Sequence, residues 1–183
     1  YLSHKNIWQK IVDENIPYAI ILEDDFKITG DVEATIELLN NFPIEWDYIK
    51  LAGYKSRSRP IQFSSSLGKL NLTVFNKAMA GTCAQAVSLA GAKKLLESTN
   101  KFGRPIDTDI QHWWDKNISL FSLTPYPFDP DQKWESEISK MASRSSNIKK
   151  HIWRRKWQQL KFHFNNKRHT SKLVLDLKHR LTK

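Results

Sequence analysis

The apolar run Tyr18–Leu22 is the sequence feature that most constrains the fold. Its five residues show no alternation of apolar and polar side chains, which is typical of a strand buried on both faces within a parallel sheet. An amphipathic helical pattern over residues 32–39, capped by Asp31, comes next, and a second short strand is expected at 48–51. A strand, a helix and a strand in this order predict a right-handed crossover within an α/β sheet.

The rest of the chain continues with short strands and helices. A helix precedes Pro17, strands are expected at Leu70–Phe75, 83–89 and 118–123, and helices are expected at 91–98 and from about Asp107. The segment 53–69 is rich in Ser, Lys and Arg, and we interpret it as a long polar loop of the kind that often binds ligands.

Charge is distributed unevenly along the chain. The 183 residues carry a formal net charge of +10, yet residues 1–142 contain 16 Lys and Arg against 18 Asp and Glu. Residues 143–183 contain 13 Lys and Arg and one acid, Asp176. We therefore expect a near-neutral domain over 1–142 and a basic, amphipathic helical tail over 143–183.

Cysteine content and hydropathy exclude several classes of protein. Because Cys83 is the single cysteine, an internal disulfide and a multi-cysteine zinc site are both excluded. The apolar surroundings of Cys83 predict a buried, unreactive thiol. The longest window without a charged residue, 78–92, is too short and too interrupted by glycine to predict a membrane-spanning helix.

Three consecutive carboxylates, Glu23, Asp24 and Asp25, follow the first strand directly. They stand at the carboxyl end of a strand, where open α/β sheets bind ligands. Side chains alternate in an extended segment, so Glu23 and Asp25 share one side while Asp24 faces the other. Two carboxylates on one side suit a hard divalent cation, which could bridge to the phosphates of a nucleotide. The alternative is an acidic turn that leads into a helix.

A second acidic cluster follows Pro105. Asp107 is placed either to cap a helix or to act as a general base near a cleft. Asp109 and His112 are three residues apart, so one helical face could present them as a metal-binding or acid–base pair, with a surface histidine as the alternative. Trp113 and Trp114 fit a core or a cleft wall better than a sugar-binding platform.

Several segments together resemble glycosyltransferase family 25, the lipooligosaccharide and lipopolysaccharide biosynthesis glycosyltransferases. The resemblance keeps the family's order across roughly residues 1–140. The matching stretches are Leu2-Ser3-His4 with Trp8, residues 19–25, residues 47–51, Gly81-Thr82 with Ala84, residues 91–96, Pro105-Ile106-Asp107, and Tyr126-Pro127 with Gln132, Ser136 and Ile138.

This resemblance implies an α/β, GT-A-like (Rossmann-like) fold, with a mixed, mostly parallel sheet flanked by helices, over a catalytic domain at 1–142. It implies transfer of galactose or glucose from a UDP-sugar, with Mn²⁺ or Mg²⁺ held by Asp25. Glu23 would contact either this metal or the nucleotide ribose, and Asp24 lies beside them in the donor-binding run. His112 is a further candidate metal ligand from its spacing. Asp107 is the first candidate for the base of an inverting reaction, and Asp109 is the second. Family members carry residues before the Ser-His segment, so we expect that an N-terminal strand region is missing.

The basic tail carries an apolar stripe with Trp153, Trp157, Leu160 and Phe164. A basic amphipathic helix with Trp and Phe is typical of an interfacial membrane segment. The stripe could instead pack on the domain, and nucleic-acid binding is a third option that no recognised motif supports.

From the family and the tail together we expect a lipid-linked oligosaccharide acceptor, contact with an anionic membrane through 143–183, and no nucleic-acid partner. We expect a peripheral location on the cytoplasmic face of a bacterial inner membrane. The alternative to an enzyme is a non-catalytic α/β module that binds nucleic acid or membrane through its tail.

Overall fold

A computed structural model describes residues 1–53, 59–100, 103–131 and 152–181. The helices are α1 (Leu2–Asp13), α2 (Val32–Asn40), α3 (Leu89–Ser98), α4 (Ile106–Ile110) and α5 (Ile152–Leu181), with a 3₁₀ helix at Trp113–Lys116. The strands are β1 (Tyr18–Leu22), β2 (Phe26–Ile28), β3 (Tyr48–Lys50), β4 (Ile61–Leu67), β5 (Leu70–Phe75), β6 (Ala84–Ser88), β7 (Leu120–Thr124) and β8 (Phe128–Pro130).

Six strands form one mixed sheet in the order β1-β6-β3-β7-β5-β4, and β2 pairs with β8 separately. The neighbours β3 and β7 are parallel, while the other four neighbouring pairs are antiparallel. The α/β class with a mixed sheet flanked by helices is therefore confirmed, although parallel pairing is confined to one pair. Because β6 lies antiparallel between β1 and β3, these two strands and β7 all point the same way. Their carboxyl ends meet at one edge of the sheet.

Side-chain caps explain where two of the helices begin. The Asp31 carboxylate accepts a hydrogen bond from the Ala34 amide at 2.9 Å, which confirms the predicted cap of α2. The Ser88 hydroxyl accepts one from the Gly91 amide at 3.0 Å and starts α3. A Cβ at Gly91 would stand 2.1 Å from the Asp47 carbonyl oxygen, so glycine allows α3 to lie against the turn before β3.

The prediction of a loop across 53–69 was wrong for its second half. Strand β4 pairs antiparallel with β5 across a turn at Gly68, whose φ of +68° suits glycine. The strand lies at an edge of the sheet and alternates between exposed and half-buried side chains, so it needs few apolar residues. Its Ser64-Ser65-Ser66 run therefore gave no strand signal. Residues 54–58 lie outside the described residues.

The core lies on both faces of the sheet. Neighbouring residues of one strand enter different apolar clusters, as Tyr48 and Ile49 of β3 do. Helices α1 and α3 cover one face with Trp8, Ile11 and Leu95. Helix α2 contributes to the other face, together with the last helix.

Helix α5 packs on the domain along one side. Leu177 is fully buried in the core, and the Asn166 side-chain amide donates to the Asn76 carbonyl at 2.6 Å. The Arg180 guanidinium donates to the Glu45 carbonyl at 2.9 Å. In the described ranges, none of the helices combines the length and the apolar character that crossing a bilayer requires.

We expect Leu177→Ala to lower the free energy of unfolding by about 2–5 kcal/mol, because it would leave a cavity in the core. Leu175→Ala is the matched control, since Leu175 is 69% exposed two residues away. We expect that change to cost less than about 0.5 kcal/mol. Urea unfolding of the full chain measures both, and equal losses would contradict the packing of α5 on the core.

Candidate active site at the carboxyl edge of the sheet

The acidic run of residues 23–25 lies at the edge of the sheet where β1 and β3 end and β6 begins. Leu22 at the end of β1 pairs with Ala84 at the start of β6, and Lys50 at the end of β3 pairs with Gln85. The Glu23 amide donates to the Cys83 carbonyl at 2.8 Å, which continues this pairing past the end of β1. Backbone pairing therefore brings the acidic run beside residues 81–83 and the end of β3.

Glu23 is half-buried and firmly held. The Thr82 hydroxyl donates to its Oε1, and His4 Nε2 lies 3.6 Å from the same oxygen. Burial raises the pKa of the Glu23 carboxyl, and the charges of Asp25 and Asp107 add to the increase, whereas Thr82 and Lys50 oppose it. Burial is thus the main reason why the charged form of this carboxyl is disfavoured.

A buried polar chain fixes His4 behind Glu23. The Tyr48 hydroxyl donates to Gln85 Oε1 at 3.1 Å, and Gln85 Nε2 lies 3.2 Å from His4 Nε2. An amide nitrogen only donates, so His4 Nε2 accepts in this arrangement and the ring is neutral. Burial also lowers the pKa of His4. His4 therefore lies beside Glu23 as a neutral ring and supplies it with no positive charge.

Asp25 presents an unsatisfied oxygen. Within the described part of the chain its buried Oδ1 has no hydrogen-bond partner. Burial raises the pKa of the neighbouring Cys83 thiol to about 12, with further increases from the charges of Asp25 and Glu23 and from a hydrogen bond between the thiol and the Asp25 carboxyl. The expectation of a buried, unreactive cysteine is therefore confirmed. Asp24 is exposed, in agreement with the expected alternation of side chains.

Lys50 is a site residue that the sequence reasoning missed. It is almost fully buried, and its ammonium donates to the Gly81 carbonyl. Burial lowers its pKa to about 8, while the negative charges of Asp107 and Glu23 act to raise it. Its interaction with both carboxylates joins the two acidic segments. In the sequence, the feature that could have indicated this residue is a single lysine within an otherwise apolar strand.

Asp107 lies in the first turn of α4 and is half-buried. It does not cap the helix, because the capping position is Pro105. Its charge acts on both Glu23 and Lys50. The structure therefore brings Asp107 into the same electrostatic cluster as the acidic run, 84 residues earlier in the sequence.

Asp109 is occupied by structural contacts. Its Oδ2 lies 2.7 Å from the buried Lys116 ammonium and accepts a hydrogen bond from the Tyr1 hydroxyl at 2.6 Å, while Arg104 lies 3.4 Å from Oδ1. Burial alone would raise its pKa, but these partners hold it below its usual value. Asp109 thus links the start of the chain to the segment after α4.

His112 does not join the carboxylates. Its Nδ1 lies 3.1 Å from the Thr108 carbonyl oxygen, and its ring packs against Trp114 and Phe162. Burial lowers its pKa. Across the described ranges, no group of three or more His, Cys, Asp and Glu side chains is placed to hold a metal ion. The structure therefore does not assemble Glu23, Asp25 and His112 into one metal site.

The mixed sheet, flanked by helices and carrying carboxylates at its carboxyl edge, places this protein in the α/β class with a Rossmann-like, GT-A-like fold. The sequence profile of glycosyltransferase family 25 (LPS biosynthesis protein) matches residues 1–110. Because that match covers more than half of the chain, the chain belongs to glycosyltransferase family 25.

Curated relatives extend the similarity beyond the profile. A probable inactive glycosyltransferase 25 family member 3 from Rattus norvegicus is 27% identical over 160 residues, which cover 75% of this chain and 27% of the relative. Procollagen galactosyltransferase 1 from Danio rerio is 25% identical over 75% of this chain and 26% of its own. Procollagen galactosyltransferase 1-B from Xenopus laevis is 32% identical over 67% of this chain and 21% of its own. The chain spans about a quarter of the length of these relatives.

We expect Asp109→Asn to reduce the loss of stability at acidic pH. A lowered folded-state pKa means that the carboxylate stabilises the fold above the unfolded value of about 3.9, and that this stability is lost as the pH falls through the folded value. Urea unfolding across this acidic range measures the effect.

Lys116→Met provides the comparison. It removes the ammonium that is paired with Asp109, so the unfolding free energy should also depend less on acid. At neutral pH we expect this change to lower the unfolding free energy by about 3–5 kcal/mol. If the unfolding free energy of Asp109→Asn falls with acid as steeply as that of the parent chain, the assignment of Asp109 to this ion pair is wrong.

Proposed function

We propose that this chain is a metal-dependent hexosyltransferase domain, which transfers galactose or glucose from a UDP-sugar to a lipooligosaccharide or lipopolysaccharide core. The observation that carries the proposal is the convergence of Glu23, Asp25 and Asp107 with Lys50 at the carboxyl edge of the sheet, in a member of family 25. Open α/β sheets bind ligands at this edge. The family's description supports the acceptor class, and the relatives named galactosyltransferases support galactose.

Glu23 and Asp25 fit a divalent cation that arrives with a diphosphate. Mg²⁺ is often held by one or two carboxylates together with substrate phosphates, so a closed cage of protein ligands is not required. The unpartnered Oδ1 of Asp25 is the geometric reason for placing Mn²⁺ or Mg²⁺ here. When bound, the ion would stabilise the negative charge of the departing diphosphate. Asp24 lies at the exposed side of this donor-binding run.

Asp107 is the base in this proposal. The acceptor hydroxyl oxygen forms a bond to the anomeric carbon of the donor sugar, the bond from that carbon to the diphosphate breaks, and UDP leaves with the electron pair. Asp107 accepts the proton of the hydroxyl, and attack opposite the leaving group inverts the anomeric configuration. Asp109 is less suited to this step, because Lys116 and Tyr1 already occupy its Oδ2 and its pKa is lowered.

A cavity of about 750 Å³ beside α4 supports a route for the acceptor. Thr108, which follows the proposed base, lines it, and so does the aromatic ring of Trp114. Its basic side chains suit phosphorylated core sugars, and Asp115 is the acid among its lining residues. The cations on its wall are Lys77, Arg104 and Lys161.

We expect the full chain to bind a UDP-hexose with Mn²⁺ or Mg²⁺ and to lose that binding with a chelator. Asp25→Asn should weaken donor binding about tenfold or more, because it removes a carboxylate charge at the proposed ion. Asp107→Asn should keep donor binding and reduce transfer about a hundredfold or more. Calorimetry with UDP-galactose and UDP-glucose, followed by assay of UDP release, measures both effects.

Asp13→Asn is the control, since Asp13 lies at the end of α1 and contacts Gln9. The proposal fails if the parent chain binds no nucleotide sugar with either ion. Relatives named inactive favour one other candidate, a non-catalytic member of the family. Donor binding without any UDP release, with or without an acceptor, would identify that alternative.

A further inference from the structure

Helix α5 has two apolar faces on opposite sides. One face carries Phe162 and Leu173, which pack against the aromatic cluster and the core of the domain. The other carries Trp153, Trp157, Leu160 and Phe164, whose spacing of four, three and four residues forms a single stripe. The stripe therefore does not serve to dock the helix on its own domain.

This outer stripe is almost wholly exposed. Trp153 is 83% exposed and Trp157 is 72% exposed, and Leu160 and Phe164 are similar at 65% and 70%. The exposed large apolar residues on the described surface of 1–131 come from α1, β1, β2, α2 and β4, with at most two on any one element. A continuous exposed apolar stripe of this kind marks an interaction surface.

Positive charge borders the stripe on both sides. On a helix of 3.6 residues per turn, Lys156 and Lys167 lie along one margin, and Lys161 and Arg168 lie along the other. All four are exposed. Asp176 is the single acid of the helix, and it lies three turns beyond Phe164. The surface is thus apolar at its centre and cationic at its margins.

We propose that this outer stripe of α5 binds the headgroup region of an anionic lipid bilayer, with the helix lying in the plane of the surface. Trp, Phe and Leu at the centre would enter the boundary between headgroups and acyl chains, while the flanking lysine and arginine stems reach outward to lipid phosphates. This arrangement requires none of the carboxylates at the sheet edge, and Lys161 is the residue that it shares with the cavity beside α4.

Charge complementarity favours an anionic bilayer over two other partners, which are a second copy of this chain and a nucleic acid. A second copy of the chain would bring an equally basic stripe, so the two sets of margins would repel each other. Nucleic acid needs cations where its phosphates lie, and here the centre of the surface is occupied by four large apolar side chains. An anionic bilayer accepts both parts of the surface, since it offers an apolar interior below a layer of phosphates.

The test is co-sedimentation of the full chain with phosphatidylcholine vesicles, with and without phosphatidylglycerol. We expect binding to the anionic vesicles that weakens as salt is raised, and little binding to phosphatidylcholine alone. The double variant Trp153→Ser, Trp157→Ser should reduce binding to anionic vesicles at least about tenfold, because it removes two aromatic side chains from the interfacial stripe. Both tryptophans are exposed, so the fold should be retained.

Two matched controls separate the stripe from general surface properties. Ile61→Ser removes an exposed apolar side chain from β4, and Lys93→Gln removes an exposed charge from α3. Both should bind as the parent does, whereas Lys156→Gln with Lys161→Gln should bind anionic vesicles more weakly. The proposal is overturned by equal binding to both vesicle types, by no binding to either, or by binding that the tryptophan variant leaves unchanged. It is also overturned if the tryptophans instead mediate self-association, seen as a dimer that the double variant loses in sedimentation equilibrium.

Discussion

The buried ammonium of Lys50 is the interaction on which the candidate site depends. Glu23 and Asp25, which follow β1, and Asp107 of α4 carry like charges and repel one another at the edge of the sheet. Lys50 reaches this edge from the central strand β3, is held by the Gly81 carbonyl, and attracts both Glu23 and Asp107. Burial of a lysine is costly unless its charge is compensated. The carboxylates therefore stabilise the charge of Lys50, and Lys50 in turn reduces the repulsion among the carboxylates.

Asp47 and Asp109 are buried acids whose carboxylates are well bonded, and half-buried Asp25 differs from them. Asp47 receives two hydrogen bonds from the Lys94 ammonium and others from Ser119, and Asp109 is paired with Lys116. These acids join elements that are distant in sequence, and their bonding capacity is largely used. Asp25 instead keeps an unpartnered buried oxygen. This open oxygen supports the cation that we propose at the site.

Local patterns predicted the local structure of this chain, and the errors arose where a distant partner decides the outcome. The strand at Tyr18–Leu22 and the Asp31 cap were predictable because apolar runs and capping chemistry act over a few residues. The expectation that this strand is buried on both faces within a parallel sheet was wrong, because β1 lies at the edge of the sheet, half-buried, and pairs antiparallel with β6. Strand β4 depends on pairing with β5, so its serines carried no signal. Asp107 and Asp109 were the first and second candidates for the base. What separates them is Lys116 and, 108 residues away, Tyr1. Lys50 was missed because burial of a strand end is a tertiary property.

Helix α5 is connected to the candidate site through aromatic contacts. His169 stacks on Trp114 at an interplanar angle of 9°, and Phe162 packs against both Trp114 and His112. His112 in turn is bound to the carbonyl of Thr108 in α4, the helix that carries Asp107. Because packed rings resist sliding, the outer stripe of α5 holds a fixed orientation relative to that helix. A surface that seats α5 would therefore orient the carboxylate edge as well, and this coupling requires no movement within the domain.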